Sequence, residues 1–156
     1  MAKPKLEKRK AQTIAYIEHS GPYNKVPWDK YIESLYGFAK AKKVMPGFYP
    51  LAIYFDNPQE TPENKLRSHI AIPIHGNPKP DKDIKIGKLP AMTVASVSHK
   101  GPGEEFKNTY QQLNDFIKEK NLKCAGPPME IYTKKPEVVG GKTILFAKVM
   151  IPTKKG

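Results

Sequence analysis

The sequence predicts an α+β fold built from a duplicated β-α-β-β unit, and two observations support that prediction. First, segments of the two halves match in the same order about 80 residues apart. Second, each half places an apolar stripe of helical spacing between segments of strand-like composition. Neither half is long enough to bury a sheet face and a helix stripe alone. We therefore expect the halves to pair around a pseudo-two-fold axis and to leave a central cleft.

The duplication is defined by three pairs of matching segments. The pairs are 15–22 with 95–102, 50–54 with 128–132, and 70–73 with 149–152. They place repeat 1 at about 11–76 and repeat 2 at about 86–153, within a single domain over 11–153 that follows a basic N-terminal tail at 1–10. The polar, turn-rich stretch 76–81 marks the seam between the repeats.

Within each repeat the spacing of apolar residues predicts one helix and three strands. Helices are expected over about 27–43, where Trp28, Tyr31, Leu35 and Ala39 form a stripe, and over about 103–119. The predicted strands are 12–19, 51–55 and 68–74 in the first repeat and 93–99, 129–132 and 142–151 in the second.

Composition excludes several classes of protein. The net charge is +12, but the lysines are spread along the chain and only Arg9 and Arg67 are arginines, so specific nucleic-acid binding is not expected. The single Cys124 excludes an internal disulfide framework and a four-cysteine zinc site. No apolar run approaches the roughly 20 residues of a membrane span, and no apolar segment follows the basic start. We expect a cytoplasmic protein with no membrane partner.

Three segments of the sequence together resemble the pattern of a known family. They are the Gly-Pro junctions after the first strand of each repeat, at 19–23 and 99–102, and the run Gly-Pro-Pro-Met-Glu-Ile-Tyr at 126–132. In this order they resemble the GyrI-like, AraC-type bacterial effector-binding domain over about 8–153. The broader superfamily includes the SOUL haem-binding proteins.

The resemblance implies both an architecture and a set of functions. It implies a saddle-shaped antiparallel sheet with two long helices and a pocket at the pseudo-dyad. Members bind small molecules, often hydrophobic cations, and some serve transcription regulators as ligand sensors. One branch hydrolyses cyclopropane-bearing genotoxins. A protein-interaction role such as gyrase inhibition is a further alternative, by analogy of fold. Because 1–11 is too short for a helix-turn-helix module, we expect the free-standing form, a sensor or sequestering protein.

Glu130 is the leading candidate for a functional residue. It stands in an otherwise apolar strand at the position that Ala52 occupies in the first repeat. The resemblance places an acid on this strand at the base of the pocket. There a carboxylate could attract a cation, or burial could raise its pKa and make it a general base of a hydrolase. The alternative is a solvent-facing glutamate on a half-exposed strand.

Aromatic residues on the predicted helices and central strands complete the candidate site. The proposed ligand-binding set is Glu130, Tyr54, Tyr132, Trp28, Tyr31, Tyr110 and Phe48. In the hydrolase alternative Tyr132 or Tyr54 donates a proton to the leaving group while Glu130 orients or deprotonates water. The competing interpretation is that these rings are core residues.

No metal or cofactor is expected from the sequence. His19, His69, His75 and His99 lack the paired spacing of zinc or haem motifs, and Cys124 has no sign of a histidine partner. Haem binding of the SOUL type rests on the distant resemblance alone. The sequence holds neither a glycine-rich phosphate loop nor a Gly-x-Ser-x-Gly motif. The expected partners are a small-molecule ligand and, in the gyrase alternative, a protein.

Overall fold

The computed structural model describes residues 3–156, which divide into two compact units. The first unit comprises Ala11–Pro90, and the second joins residues 3–10 to Ala91–Gly156. Within the described residues each unit holds five strands and one α-helix, and the strands pair antiparallel. The predicted α+β class is confirmed, as is the order strand, helix, strand, strand in each unit.

The elements follow one another in an order that repeats. They are β1 (Lys5–Arg9), β2 (Gln12–Ser20), α1 (Trp28–Ala41), β3 (Met45–Pro46), β4 (Leu51–Tyr54), β5 (Arg67–His75), β6 (Ile84–Leu89), β7 (Met92–Gly101), α2 (Phe106–Glu119), β8 (Leu122–Cys124), β9 (Met129–Val139) and β10 (Lys142–Lys155). In the first unit the strand order is β4-β5-β2-β6, with β3 also pairing β5. In the second unit it is β1-β7-β10-β9, with β8 also pairing β10.

The pairing of β1 and of β6 was not predicted from the sequence. Residues 1–10 were expected to form a basic tail, but Lys5–Arg9 form β1, which pairs with β7. Likewise β6 precedes β7 in the chain but pairs with β2. The sheet of the first unit is therefore completed by β6, which leads into the second repeat along the chain. The sheet of the second unit is completed by β1, which leads into the first repeat. The charged sequence KLEKR of β1 hid it, because charges are typical of an exposed edge strand.

The strand predicted at 129–132 is much longer in the structure. It extends to Val139 and forms a hairpin with β10. The residue pair next to the hairpin turn is Val139 with Lys142. Gly140 and Gly141 join the strands with φ angles of 59° and 78°. A two-residue hairpin turn of this kind needs positive φ at both positions, which glycine adopts without strain.

Both helices lie inside their predicted ranges. Of the predicted stripe of α1, Leu35 and Ala39 are buried together with Phe38, whereas Trp28 and Tyr31 are half-buried. Helix α2 packs Leu113 and Ile117 onto one sheet face of the second unit. The other buried members of this core are Ala95, Val97, Val149 and Ile151, with Phe106, Tyr110, Phe116 and Leu122 packed at its margin. Within residues 3–156 no helix is long and apolar enough to cross a membrane.

This core predicts the effect of shortening one side chain of α2. Leu113 has 0% exposure and contacts the sheet face, so Leu113→Ala should lower the free energy of unfolding by about 2–5 kcal/mol through lost burial and an unfilled cavity. Urea titration followed by circular dichroism measures this. Lys107→Ala, at an exposed position of the same helix, should change stability by less than about 0.5 kcal/mol. Equal losses in the two variants would contradict the assigned core.

Candidate ligand-binding site

Glu130 lies on the face of the second unit's sheet that α2 covers. On β9 it is in register with Val149 of β10, which is in register with Val97 of β7. Val97 and Val149 belong to the core under α2, and directly paired residues share a sheet face. Glu130 is accordingly 7% exposed. The alternative of a solvent-facing glutamate is not what the structure shows.

Two tyrosine hydroxyl groups hold the Glu130 carboxylate. Tyr110 of α2 donates a hydrogen bond to Oε2 at 2.6 Å, and Tyr132 of β9 donates to Oε1 at 2.8 Å. Tyr132 lies two residues along the same strand, so its side chain leaves the same face as Glu130. Tyr110 reaches the carboxylate from the helix above. Each carboxylate oxygen therefore has one neutral donor.

The surroundings of Glu130 raise its pKa above the ordinary carboxyl value of 4.5. Burial is the largest cause, because it disfavours the charged form. The hydrogen bonds from Tyr110 and Tyr132 and the nearby His99 act in the opposite direction. No lysine or arginine of residues 3–156 forms a salt bridge with this carboxylate. Glu130 is a buried acid without a salt bridge in the described chain, and His99 is a nearby group that favours its charged form.

His99 stands on the same face, across β10 from Tyr132. Ala147 of β10 is in register with both residues. The His99 ring stacks on Phe106 with 3.9 Å between centroids and 15° between planes, and its Nδ1 hydrogen-bonds the Thr109 hydroxyl at 2.7 Å. Its Nε2 is buried and has no hydrogen-bond partner among the described residues. The sequence shows only that His99 lacks the paired spacing of a zinc or haem motif, and its place at the end of a strand gives no sign of this packing.

The matching positions of the first unit lack the acid. Ala52 stands on β4 where Glu130 stands on β9, and it is fully buried. Its strand neighbour Tyr54 packs its ring against Tyr23 at 4.7 Å between centroids. His19 accepts or donates a hydrogen bond with Tyr31 at 3.3 Å, as His99 does with Thr109 in the second unit. The histidine contact is repeated in both units, whereas the carboxylate is not.

The structure thus brings together three of the seven predicted site residues. Glu130, Tyr110 and Tyr132 form one hydrogen-bonded cluster in the second unit. The other four, Trp28, Tyr31, Phe48 and Tyr54, lie in the first unit. Phe48 is 95% exposed and its ring contacts Tyr49, so it is a surface residue of that unit. Among residues 3–156, no three histidine, cysteine or acidic side chains are grouped so that they could hold a metal ion.

The raised pKa of Glu130 predicts how stability depends on pH. The pKa of this carboxyl group is higher in the folded chain than in the unfolded chain. The folded state therefore loses stability as the pH rises from the unfolded pKa through the folded pKa. Glu130→Gln cannot ionise, so its stability relative to the natural chain should increase between about pH 4 and pH 8. Urea unfolding at both pH values measures this. Glu104→Gln, at an exposed position of the same unit, is the control, and an equal gain there would contradict the assignment to Glu130.

Solved structures share this architecture. The C-terminal domain of EcmrR aligns with a TM-score of 0.82 at 18% identity, covering 100% of this chain and 99% of that one. A hydrolase from Listeria innocua aligns at 0.72 with 14% identity, covering 97% and 92%. SAV2435, solved bound to tetraphenylphosphonium, aligns at 0.57 with 11% identity, covering 97% and 94%. At these identities the likeness establishes the fold alone.

Sequence comparison gives the family. This chain is 24% identical over 132 residues to the DNA gyrase inhibitor of Escherichia coli K12, covering 81% of this chain and 83% of that protein. It is 26% identical over 136 residues to the testis-expressed protein 264 homolog of Mus musculus, covering 77% of this chain but only 41% of the mouse protein. The model of the GyrI-like small molecule binding domain matches residues 2–154. The chain belongs to the GyrI-like small molecule binding domain family.

Proposed function

We propose that this chain binds a hydrophobic cation and acts as a ligand sensor or sequestering domain, with Glu130 as the charged anchor. The observation that carries the proposal is a carboxylate that is 7% exposed, hydrogen-bonded by two tyrosines and without a salt bridge in the described chain. Removing such a group from water is costly unless an opposite charge compensates it. A bound cation would supply that charge.

The tyrosines suit this ligand as well as the carboxylate does. Tyr110 and Tyr132 are half-buried, and their hydroxyl groups point at Glu130 while their rings flank it. A cation near an aromatic ring face gains electrostatic attraction, and that gain grows when water is excluded. The tetraphenylphosphonium held by SAV2435 is a ligand of this class in a protein of the same fold. Aromatic rings and a buried acid are the groups that would select it.

The proposal predicts a charge-dependent loss of affinity. Glu130→Gln should weaken tetraphenylphosphonium binding by about 10- to 100-fold, because one partner of a desolvated charge pair is removed. Isothermal titration calorimetry measures the affinity. Tetraphenylborate has nearly the same shape and the opposite charge, and its binding should not weaken in the variant.

The control for this experiment is Glu104→Gln, which removes the same charge at an exposed position of the second unit. It should leave the tetraphenylphosphonium affinity within about twofold, because exposed charges at a distance are screened by solvent and salt. If both substitutions weaken binding equally, the effect comes from net charge and Glu130 is not the anchor. Unchanged affinity in Glu130→Gln would also remove it from the site.

A hydrolase that acts on a strained electrophilic ring is the second candidate. The raised pKa of Glu130 favours it, because a carboxylate that binds protons more readily is a better general base. A neighbour of the same fold is itself a hydrolase. In this mechanism Glu130 accepts a proton from water as the water oxygen attacks the ring carbon. The bond from that carbon to its neighbouring ring atom breaks, and Tyr132 donates its hydroxyl proton to the atom that leaves. The proton on Glu130 then passes to the Tyr132 oxygen through the hydrogen bond between them.

Turnover separates the two candidates. Incubation with a cyclopropane-bearing electrophile should give stoichiometric binding without product if the chain is a binder. If it is a hydrolase, product should form with a rate that rises with pH through the titration of Glu130, and Tyr132→Phe should slow it by about 10²- to 10⁴-fold. The protein-interaction alternative draws on the name of the DNA gyrase inhibitors, whose identity to this chain is 24–26%. The geometry of the site supports small-molecule binding best.

A further inference from the structure

The turn between β3 and β4 of the first unit presents three apolar side chains to solvent. Met45 is 69% exposed, Phe48 95% and Tyr49 46%. The rings of Phe48 and Tyr49 lie 6.3 Å apart, so they form one cluster. We call Met45, Phe48 and Tyr49 the aromatic tip. A nearly fully exposed phenylalanine beside a second ring is unusual on a protein surface and points to a contact surface.

The turn is fixed so that the aromatic tip cannot fold back onto the unit. The Gly47 amide donates a hydrogen bond to the Pro73 carbonyl at 2.8 Å, and β3 pairs with the end of β5 on the same side. A Cβ atom at Gly47 would lie 3.0 Å from the Pro73 side chain, so the backbone rests directly on that ring. Pro46 and Pro50 restrict the chain on both sides. The rings are therefore held outward before any partner arrives.

The chain before the aromatic tip carries positive charge, and no acid lies near the tip in the sequence. From residue 34 to residue 55 the sequence contains no aspartate or glutamate. Lys40, Lys42 and Lys43 are exposed at the end of α1, immediately before the tip. We call these three residues the basic collar. Lysine stems of this kind can lie along apolar surface while their ammonium groups reach outward.

Lys43 occupies a backbone position that lysine does not favour. Its φ is 57°, and the Val44 amide closes the helix by donating to the Ala39 carbonyl at 3.0 Å. This left-handed position after a helix is usually glycine or asparagine. The matching position of the second unit is Asn121, with φ 56°. A lysine here costs stability that a glycine would not, and such strain is a reason to look for a role of its charge.

We propose that the aromatic tip and the basic collar dock this protein on an anionic lipid surface. The tip is a small protruding turn, whereas a stable protein interface buries about 800 Å² on each partner. Aromatic rings that enter the headgroup region, together with lysines close by in the chain that meet anionic lipid, are a combination that holds a protein at a bilayer surface. This proposal departs from the sequence-based expectation of no membrane partner, which rested on the lack of a spanning segment and of an apolar segment after the basic start.

Vesicle sedimentation tests the lipid contact. The full chain should pellet with vesicles that contain phosphatidylglycerol and not with pure phosphatidylcholine vesicles, and added salt should weaken the binding. Phe48→Ala should lower the partition coefficient by about tenfold, because one ring no longer leaves water. Val138→Ala is the control, since Val138 is a 74% exposed apolar residue at the tip of the hairpin in the second unit. It should leave vesicle binding unchanged.

A substitution at Lys43 separates charge from structural effects. Lys43→Gly should raise the melting temperature, because glycine adopts positive φ freely, and it should weaken binding to anionic vesicles by about fivefold. If Lys43 has only a structural role, Lys43→Gly should raise the melting temperature without weakening vesicle binding. Equal pelleting with phosphatidylcholine and phosphatidylglycerol vesicles, or undiminished binding by both Phe48→Ala and Lys43→Gly, would overturn the proposal. In that case an acidic protein would be the remaining candidate partner for the aromatic tip.

Discussion

The free-energy cost of burying one carboxylate is the constraint on which the site of this protein depends. Glu130 faces a helix and an apolar sheet face, where a charged group without partners would be unstable. Tyr110 and Tyr132 reduce that cost with one hydrogen bond to each oxygen. They are neutral donors, so they carry no opposite charge. The second unit therefore keeps an ionisable acid in an apolar setting, which is the feature on which the proposed cation binding rests.

The duplicated scaffold shows that this arrangement is a local departure. Leu35 and Leu113, both with 0% exposure, set the two helices in the same register, so Ile32 of the first unit corresponds to Tyr110. Where the second unit has a carboxylate and a helix hydroxyl, the first has Ala52 and Ile32. The acid and its helix donor are thus absent together in the first unit, whereas the strand tyrosine is kept as Tyr54. A buried carboxylate that lost its helix donor would leave one oxygen unsatisfied, which is costly.

The sequence predicted what depends on local pattern and missed what depends on distant partners. The repeated anchors located the strands and helices, and the asymmetry between Ala52 and Glu130 located the acid. The strand β1 was missed because its residues are charged and its stability comes from pairing with β7, far along the chain. The surroundings of His99 were missed for a related reason, since Phe106 and Thr109 are near it in the sequence but reach it only when α2 packs on β7. A single sequence read for periodicity contains no such information.

The two functions open to Glu130 make opposite demands on its protonation, and the charge of the ligand decides between them. A bound cation favours the ionised carboxylate, lowers its pKa and makes it a weaker base. With an uncharged electrophile, only the two tyrosines and His99 oppose the effect of burial on the pKa of Glu130. The pKa therefore stays raised, and the carboxylate accepts a proton more readily. In the proposal Glu130 would therefore be an anchor for a cation and, in the alternative, a base toward a neutral ligand. Tyr132 would have a different task in each case, because it would only stabilise the carboxylate of the anchor but would have to release its proton in the reaction.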